Sequence, residues 1–256
     1  MFNFFKKKGE KTVPGNLPFS IDIHSHILPG IDDGSPDIDT SLKLVQGLYD
    51  LGIQKSIATP HIIGDMYRNT PETIFNALEK LQNACDDVGI NIELSAAAEY
   101  MLDDYFLELL KKAAPLLTLQ ENIILTEISY TATPENLEEI TAGIITEGYR
   151  PILAHPERYH YYQQNFDQYY LLKEMGFVLQ VNILSLAGYY GKRAEKAAKF
   201  ILEKDLAMLI GTDLHHQRHL EALSNVQNRV AFQNLLGNKV YNDLDLILKI
   251  VKSDPH

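Results

Sequence analysis

From residue 20 onward, short apolar runs alternate with longer amphipathic stretches. Seven runs carry a strand pattern, at 20–23, 55–58, 91–97, 123–126, 150–153, 177–181 and 207–210. Between them the spacing predicts helices over 38–51, 71–88, 103–112, 134–147, 166–175 and 192–203, with a seventh helical region over 220–251. Local punctuation supports these boundaries. Thr70-Pro71-Glu72 reads as an N-cap, a proline at the first helical position and an acid in the first turn. Thr133-Pro134-Glu135 repeats the pattern. Gly52, Gly89, Gly148 and Gly176 each stand between a predicted helix and the next strand, where a left-handed residue ends a helix well. Strands alternating regularly with helices imply βαβ units and a parallel sheet, and 256 residues suit one α/β barrel of seven such units. Residues 1–19 read as an N-terminal tail and 20–256 as a single barrel domain, since no low-complexity linker interrupts the chain.

Composition narrows the function classes. Apolar residues make up 45% and charged residues 22%, as in ordinary globular chains. A net charge of −11 argues against a broad nucleic-acid footprint. No apolar run reaches the roughly 18 residues of a membrane span. At the N-terminus, MFNFFKKK places its lysines after the phenylalanines, the reverse of a signal peptide. The expected location is therefore cytoplasmic, at most peripheral to the inner membrane face. The single cysteine, Cys85, cannot form an internal disulfide, which suits a reducing compartment. It also cannot head a Cys-x5-Arg phosphatase loop, because the sixth residue after it is Asn91.

Reactive residues fall at one structural position. His24 and His26 follow the first strand, His61 the second, Glu99 the third and Glu127 the fourth. His155 and Arg158 follow the fifth, and Asp213 and His215 the seventh; the sixth offers only Asn182. In a β/α barrel all strands end on one face, so these side chains are expected to converge there. The pairs His24/His26 and Asp213/His215 are two residues apart, which on extended backbone projects both to one side. Asp32-Asp33-Gly34 adds carboxylates on a tight turn, and Asp22 shares the face of His24, where it could orient an imidazole. Gathering so many ionisable groups at one point requires cations to offset the burial of charge. Imidazole suits Zn, Fe and Ni, and carboxylate suits Mn and Mg, so the mixed set leaves the metal open. His160, His216, His219 and His256 lack this placement and read as structural or surface residues.

The stretches IDIHSHILPGIDDG (21–34), ATPH (58–61), AEY (98–100), LTEIS (125–129), AHPERY (154–159), QVN (180–182) and GTDLHH (211–216) resemble the polymerase and histidinol phosphatase (PHP) superfamily. More narrowly, the chain resembles the bacterial CpsB/YwqE-type protein-tyrosine phosphatases over about residues 20–220. The resemblance implies a distorted (β/α)7 TIM-like barrel with three divalent metal ions, manganese being the expected ion and iron, zinc, magnesium or cobalt the alternatives. By motif match, His24, His26, Glu99 and Asp213 would hold one ion. Glu99 as a bridge, with Glu127 and His155, would hold a second; Asp33, His61 and His215 would hold the third. Arg158, Asp33 and His61 are the catalytic candidates, and Arg158 and Arg218 the substrate-binding ones. Ile62 departs from the pattern, since relatives often carry a second histidine or a basic residue after the equivalent of His61. The implied activity is hydrolysis of phosphotyrosine, on the tyrosine-rich tail of a bacterial tyrosine kinase that controls exopolysaccharide export. A small phosphomonoester such as histidinol phosphate or a nucleotide is the alternative substrate, and a non-catalytic metal-bound scaffold the alternative class. Tyr159, Tyr161, Tyr162, Tyr169 and Tyr170 are candidates to line a peptide groove.

Overall fold

The structure, a computed structural model, describes residues 15–112, 115–237 and 239–253. Its strands are β1 (Ile21–Ser25), β2 (Lys55–Ala58), β3 (His61–Ile63), β4 (Tyr67–Arg68), β5 (Glu93–Ala96), β6 (Glu99–Met101), β7 (Ile123–Glu127), β8 (Arg150–Ala154), β9 (Val178–Asn182) and β10 (Ala207–Gly211). The helices are α1 (Ile38–Asp50), α2 (Pro71–Val88), α3 (Asp104–Lys111), α4 (Leu137–Thr146), α5 (Gln168–Glu174), α6 (Lys192–Glu203), α7 (Gln217–Ser224), α8 (Val226–Leu236) and α9 (Leu244–Ser253). The result is a mixed α/β fold on parallel sheet. One sheet has the order β1-β2-β5 and the other β10-β9-β8-β7-β6-β3-β4, with only β4 antiparallel to its neighbour.

Two of the seven apolar runs feed both sheets. The second run passes from β2 to β3 across Thr59-Pro60, and a proline can donate no ladder hydrogen bond. The third passes from β5 to β6 across Ala97-Ala98, where Ala97 N donates to Ala58 O (2.8 Å) and Glu99 N to Pro60 O (3.1 Å). At the other edge, Asp213 N donates to His24 O (2.8 Å) and His26 N to Leu214 O (2.9 Å), joining the end of β1 to the residues after β10.

Strand residues alternate between two apolar layers, because successive side chains of a strand face opposite ways. Ile123 and Leu125 join one cluster with Ile23, Ile57, Ile152 and Leu209, while Ile124 joins the larger cluster beneath the helices. Burial on both faces explains why the strands read as nearly unbroken apolar runs. Each fully buried leucine or isoleucine, such as Leu44 and Leu48 on α1, contributes about 1.5–3 kcal/mol. Leu17 and Phe19 are also buried, so the packed chain begins before the expected boundary at residue 20.

Most predicted caps hold. Thr70 and Thr73 form a reciprocal capping box on α2, Gly89 closes it in the left-handed conformation, and Gly52, Gly148 and Gly176 have positive φ. The expected start of α4 at Pro134 is wrong. The helix begins at Leu137, after a turn in which Leu137 N donates to Pro134 O (3.3 Å) and an Asn136 that makes no side-chain cap bond. The predicted helical region 220–251 is three helices, divided first at Asn225, whose side chain caps α8. No helix among the described residues is long and apolar enough to cross a membrane.

Candidate metal centre

The strand order brings the predicted ligand residues together at one end of the sheets. His24, His26 and Glu99 are fully buried, and Glu127, His155, Asp213 and His61 nearly so. Glu99 lies at the centre. Its Oε1 is 3.3 Å from His24 Nε2 and 3.2 Å from His155 Nε2; its Oε2 is 3.4 Å from His26 Nε2 and 3.1 Å from His61 Nδ1. None of these contacts has hydrogen-bond geometry, so both carboxylate oxygens are buried without a hydrogen-bond partner, as is Glu127 Oε1. Burial without hydrogen bonds is costly for a carboxylate, and a cation among such oxygens and nitrogens removes that cost.

Four groups of side chains each bring their ligand atoms within 4.8 Å of one another: His26, Asp33, His61 and His215; His24, His26 and Asp213; His24, Glu99 and His155; and His61, Glu99 and Glu127. All nine sequence candidates take part. The grouping differs from the expected one: there are four overlapping groups rather than three, and Glu127 stands with His61 and Glu99 rather than with His155. Glu99 and His155 are joined by His24 instead, and His26 also joins Asp33, His61 and His215. Asp33 comes from an exposed turn, with its Oδ1 3.4 Å from His61 Nε2 and 3.5 Å from His215 Nε2. Those two imidazoles hold its carboxyl well below the usual range. That turn approaches β1 closely: a Cβ on Gly34 would lie 2.1 Å from His26 O.

The imidazoles are oriented from behind. His24 Nδ1 is 2.8 Å from Gln180 Oε1, and the Gln180 amide nitrogen donates to Val181 O (2.7 Å). The amide oxygen therefore faces His24 and accepts its Nδ1–H, which leaves Nε2 free to bind a metal. His215 Nδ1 donates to Asp213 O (2.9 Å), and His26 Nδ1 pairs with Asp32 Oδ2 (2.8 Å). Asp22 does not orient an imidazole as expected. Its carboxylate accepts from Thr212 N (3.1 Å) and Thr212 Oγ1 (2.6 Å), tying β1 to the loop after β10, and burial raises its pKa to about 6. His155 and Asp213 both have left-handed backbone, at φ +37° and +51°, a cost of order 1–3 kcal/mol each that the surrounding bonds sustain.

Arg158 lies on the short 3-10 turn that follows His155. Its Nη1 donates to Asp213 Oδ2, and Asn182 Nδ2 donates to the same oxygen (3.0 Å). The guanidinium sits 4.2 Å from the Tyr190 ring centre and 5.2 Å from that of Tyr130. Burial opposes its charge, but Asp213 holds the pKa above the ordinary value, so Arg158 stays cationic. Asp33, His61, Glu99, Glu127, Tyr130, His155, Arg158, Asp213 and His215 line a cavity of about 260 Å³ with Ile63, Met66 and Met101.

Other expectations fare differently. Arg218 is exposed on α7 and does not line the cavity. The tyrosine groove is not formed: Tyr159, Tyr162 and Tyr169 are buried, and the Tyr159 hydroxyl is used by Ala154 O and Ile128 N. His216 caps α7, His219 is buried beneath His215, His160 is exposed, and His256 lies outside the described residues. Gln180 stands in the QVN stretch without an expected role, and Tyr130 and Tyr190 are not among the sequence candidates. Tyr130 follows Glu127 at the three-residue interval by which Arg158 follows His155, a signal that was present.

A model of the family described as capsular polysaccharide synthesis, CpsB/CapC, matches residues 20–237. The tyrosine-protein phosphatase YwqE of Bacillus subtilis (strain 168) is 30% identical over 196 residues, 77% of each chain. The tyrosine-protein phosphatase CpsB of Streptococcus pneumoniae is 28% identical over 202 residues, 77% of this chain and 83% of that one. A crystal structure from work on these two enzymes, described there as metal-dependent tyrosine phosphatases, superposes with a TM-score of 0.73 at 28% identity, covering 86% of this chain and 96% of the other. A histidinol phosphate phosphatase from Lactococcus lactis shares the fold at 14% identity, with a TM-score of 0.53. With its ligand-type residues gathered at one end of the sheets and the family match spanning most of its length, the chain belongs to the CpsB/CapC family of capsular polysaccharide synthesis.

Proposed function

We propose that this chain is a metal-dependent protein-tyrosine phosphatase, a phosphoric monoester hydrolase acting on phosphotyrosine in protein. The observation that carries the reading is Glu99, whose two buried oxygens lack hydrogen bonds and face four imidazoles. In this reading His24, His26, Asp33, His61, Glu99, Glu127, His155, Asp213 and His215 hold three divalent ions, manganese by preference. The strands form a distorted (β/α)7 barrel around them. When bound, such ions supply Lewis acidity to phosphoryl oxygens and lower the pKa of water.

The chain's own residues do the rest. Arg158 presents a permanently charged, planar fork at the cavity wall, matched to two phosphoryl oxygens. Asp213 and the rings of Tyr130 and Tyr190 hold that fork in place, so little ordering remains when substrate binds. Gln180 and Asp32 keep the imidazoles of His24 and His26 in a fixed orientation. A tyrosine phenolate, with a pKa of about 10, leaves with little protonation. Cys85 is buried in α2, and no thiol nucleophile enters the scheme. The natural substrate is the tyrosine-rich tail of a bacterial tyrosine kinase, met at the cytoplasmic face.

Elemental analysis paired with a substrate panel tests this reading. The protein should contain divalent metal and, with Mn2+, hydrolyse a phosphotyrosyl peptide and p-nitrophenyl phosphate, losing activity on chelation. Turnover that persists after complete metal removal would overturn it, and a strong preference for histidinol phosphate would move the chain to biosynthesis.

A further inference from the structure

Above the layer of ligand-type residues, the same strands build a second layer of different character. His61 and Ile63 lie two apart on β3, and Glu99 and Met101 two apart on β6. Residues at i and i+2 share one face of a strand, displaced by about 6.6 Å along it. Each strand therefore carries a polar group at the cavity floor and an apolar one a step nearer the mouth. Met66, at the β3–β4 turn, and Tyr130, after β7, complete the layer, and all four apolar side chains line the cavity. Met66 is 68% exposed and Tyr130 37%, so part of this apolar surface faces solvent.

The rim is held in place. Gly64 N donates to Asp103 Oδ2 (2.8 Å), the Asn69 amide donates to His61 O (2.9 Å) and Ile31 O (2.8 Å), and Arg68 Nε donates to Gly64 O. Arg68 also lies over the Tyr105 ring, 5.2 Å from its centre. Tyr130 is fixed by stacking on His155 and by its hydroxyl, 3.3 Å from His155 Nδ1.

We propose that Ile63, Met66, Met101 and Tyr130 form an apolar collar that receives the ring of an aryl phosphomonoester and disfavours alkyl phosphomonoesters. The inference rests on the phosphatase reading for the placement of the phosphoryl group, and it assigns the specificity to four side chains outside the ligand set. With phosphate on the floor beside Arg158, an aryl ester extends rigidly outward and its ring fills the apolar layer. A serine or threonine ester has too short a linker, so the peptide's amide groups would enter the collar and lose water without gaining partners. Thioethers suit the role, because they adapt to a ring and contact its edge favourably.

Binding of phenylphosphonate and methylphosphonate to the Mn2+-loaded protein, followed by calorimetry, tests the collar without requiring turnover. The wild type should prefer the phenyl compound by about tenfold or more, from the ring area buried. Met66→Ala combined with Met101→Ala should cut that ratio at least about fivefold at unchanged metal content, and Met66→Leu should largely retain it. A wild type that binds both phosphonates equally, or a double variant that keeps the preference, overturns the collar. Failure of the phosphatase reading would show differently, as a phenyl preference in a protein that hydrolyses none of the phosphate esters.

Discussion

Gln180 supplies no ligand atom, yet it decides which nitrogen of His24 faces the cluster. Its amide is committed on both sides, donating to Val181 O and accepting from His24 Nδ1. Replacing it frees the imidazole to rotate or change tautomer, and loss of such an outer partner typically lowers metal affinity about 10–100-fold. Gln180→Ala should therefore bind Mn2+ that much more weakly in a chelator competition titration. Gln180→Glu, which can still accept the Nδ1 hydrogen, should recover most of the loss. Wild-type affinity in the alanine variant would show that the orientation of His24 is set elsewhere. The pairing was invisible in sequence because 156 residues separate the partners. A glutamine inside an apolar run gives no sign of which side chain it will meet, and Asp22, the nearer candidate, proved to be committed to Thr212.

Asp103 does at the level of elements what Gln180 does for one side chain. Its Oδ1 caps α3 by accepting from Phe106 N (2.8 Å), and its Oδ2 accepts from Gly64 N (2.8 Å) on the β3–β4 turn. One carboxylate thus joins a helix start to the turn that follows His61. Asp103→Ala should cost about 1–3 kcal/mol in denaturant unfolding, more than the loss of a cap alone, because a second backbone donor loses its partner. It should also raise amide exchange over residues 64–68; protection unchanged there would mean that the turn is held by Asn69 and Arg68 alone. Such cross-links mark where sequence reading stopped. The seven apolar runs were legible because parallel strands covered on both faces read as continuous stretches. The ligand positions were legible because they sit just past the ends of those runs. By contrast β3, β4 and β6 are only two or three residues long. Too short for a periodic signal, they draw stability from pairing with distant neighbours.

At the scale of the whole molecule, the fold gathers ionisable groups from residue 24 to residue 215 into one buried cluster, and this couples stability to pH and metal. Burial and the neighbouring His61 oppose charge on His26, yet Asp32 and Glu99 carry its pKa up to about 10. His24 and His61 are raised in the same direction, against burial, by the carboxylates around them. The unfolded imidazole titrates near 6.5. Above that pH the metal-free folded state holds more protons than the unfolded chain, so its stability falls as pH rises toward the folded pKa. The slope for one such proton is at most about 1.4 kcal/mol per pH unit. Metal binding has the opposite dependence, because ligating imidazoles must be neutral and the ion has fewer protons to displace at higher pH. Melting of chelated and Mn2+-saturated protein, compared from about pH 6.5 to about pH 8.5, should therefore show a gap that widens with pH. The chelated form should lose stability across this window while the loaded form holds its own. A gap that stayed constant or narrowed would mean that the metal-free cluster sheds its protons on folding, and that the carboxylates around His26 do not govern the charge of the site.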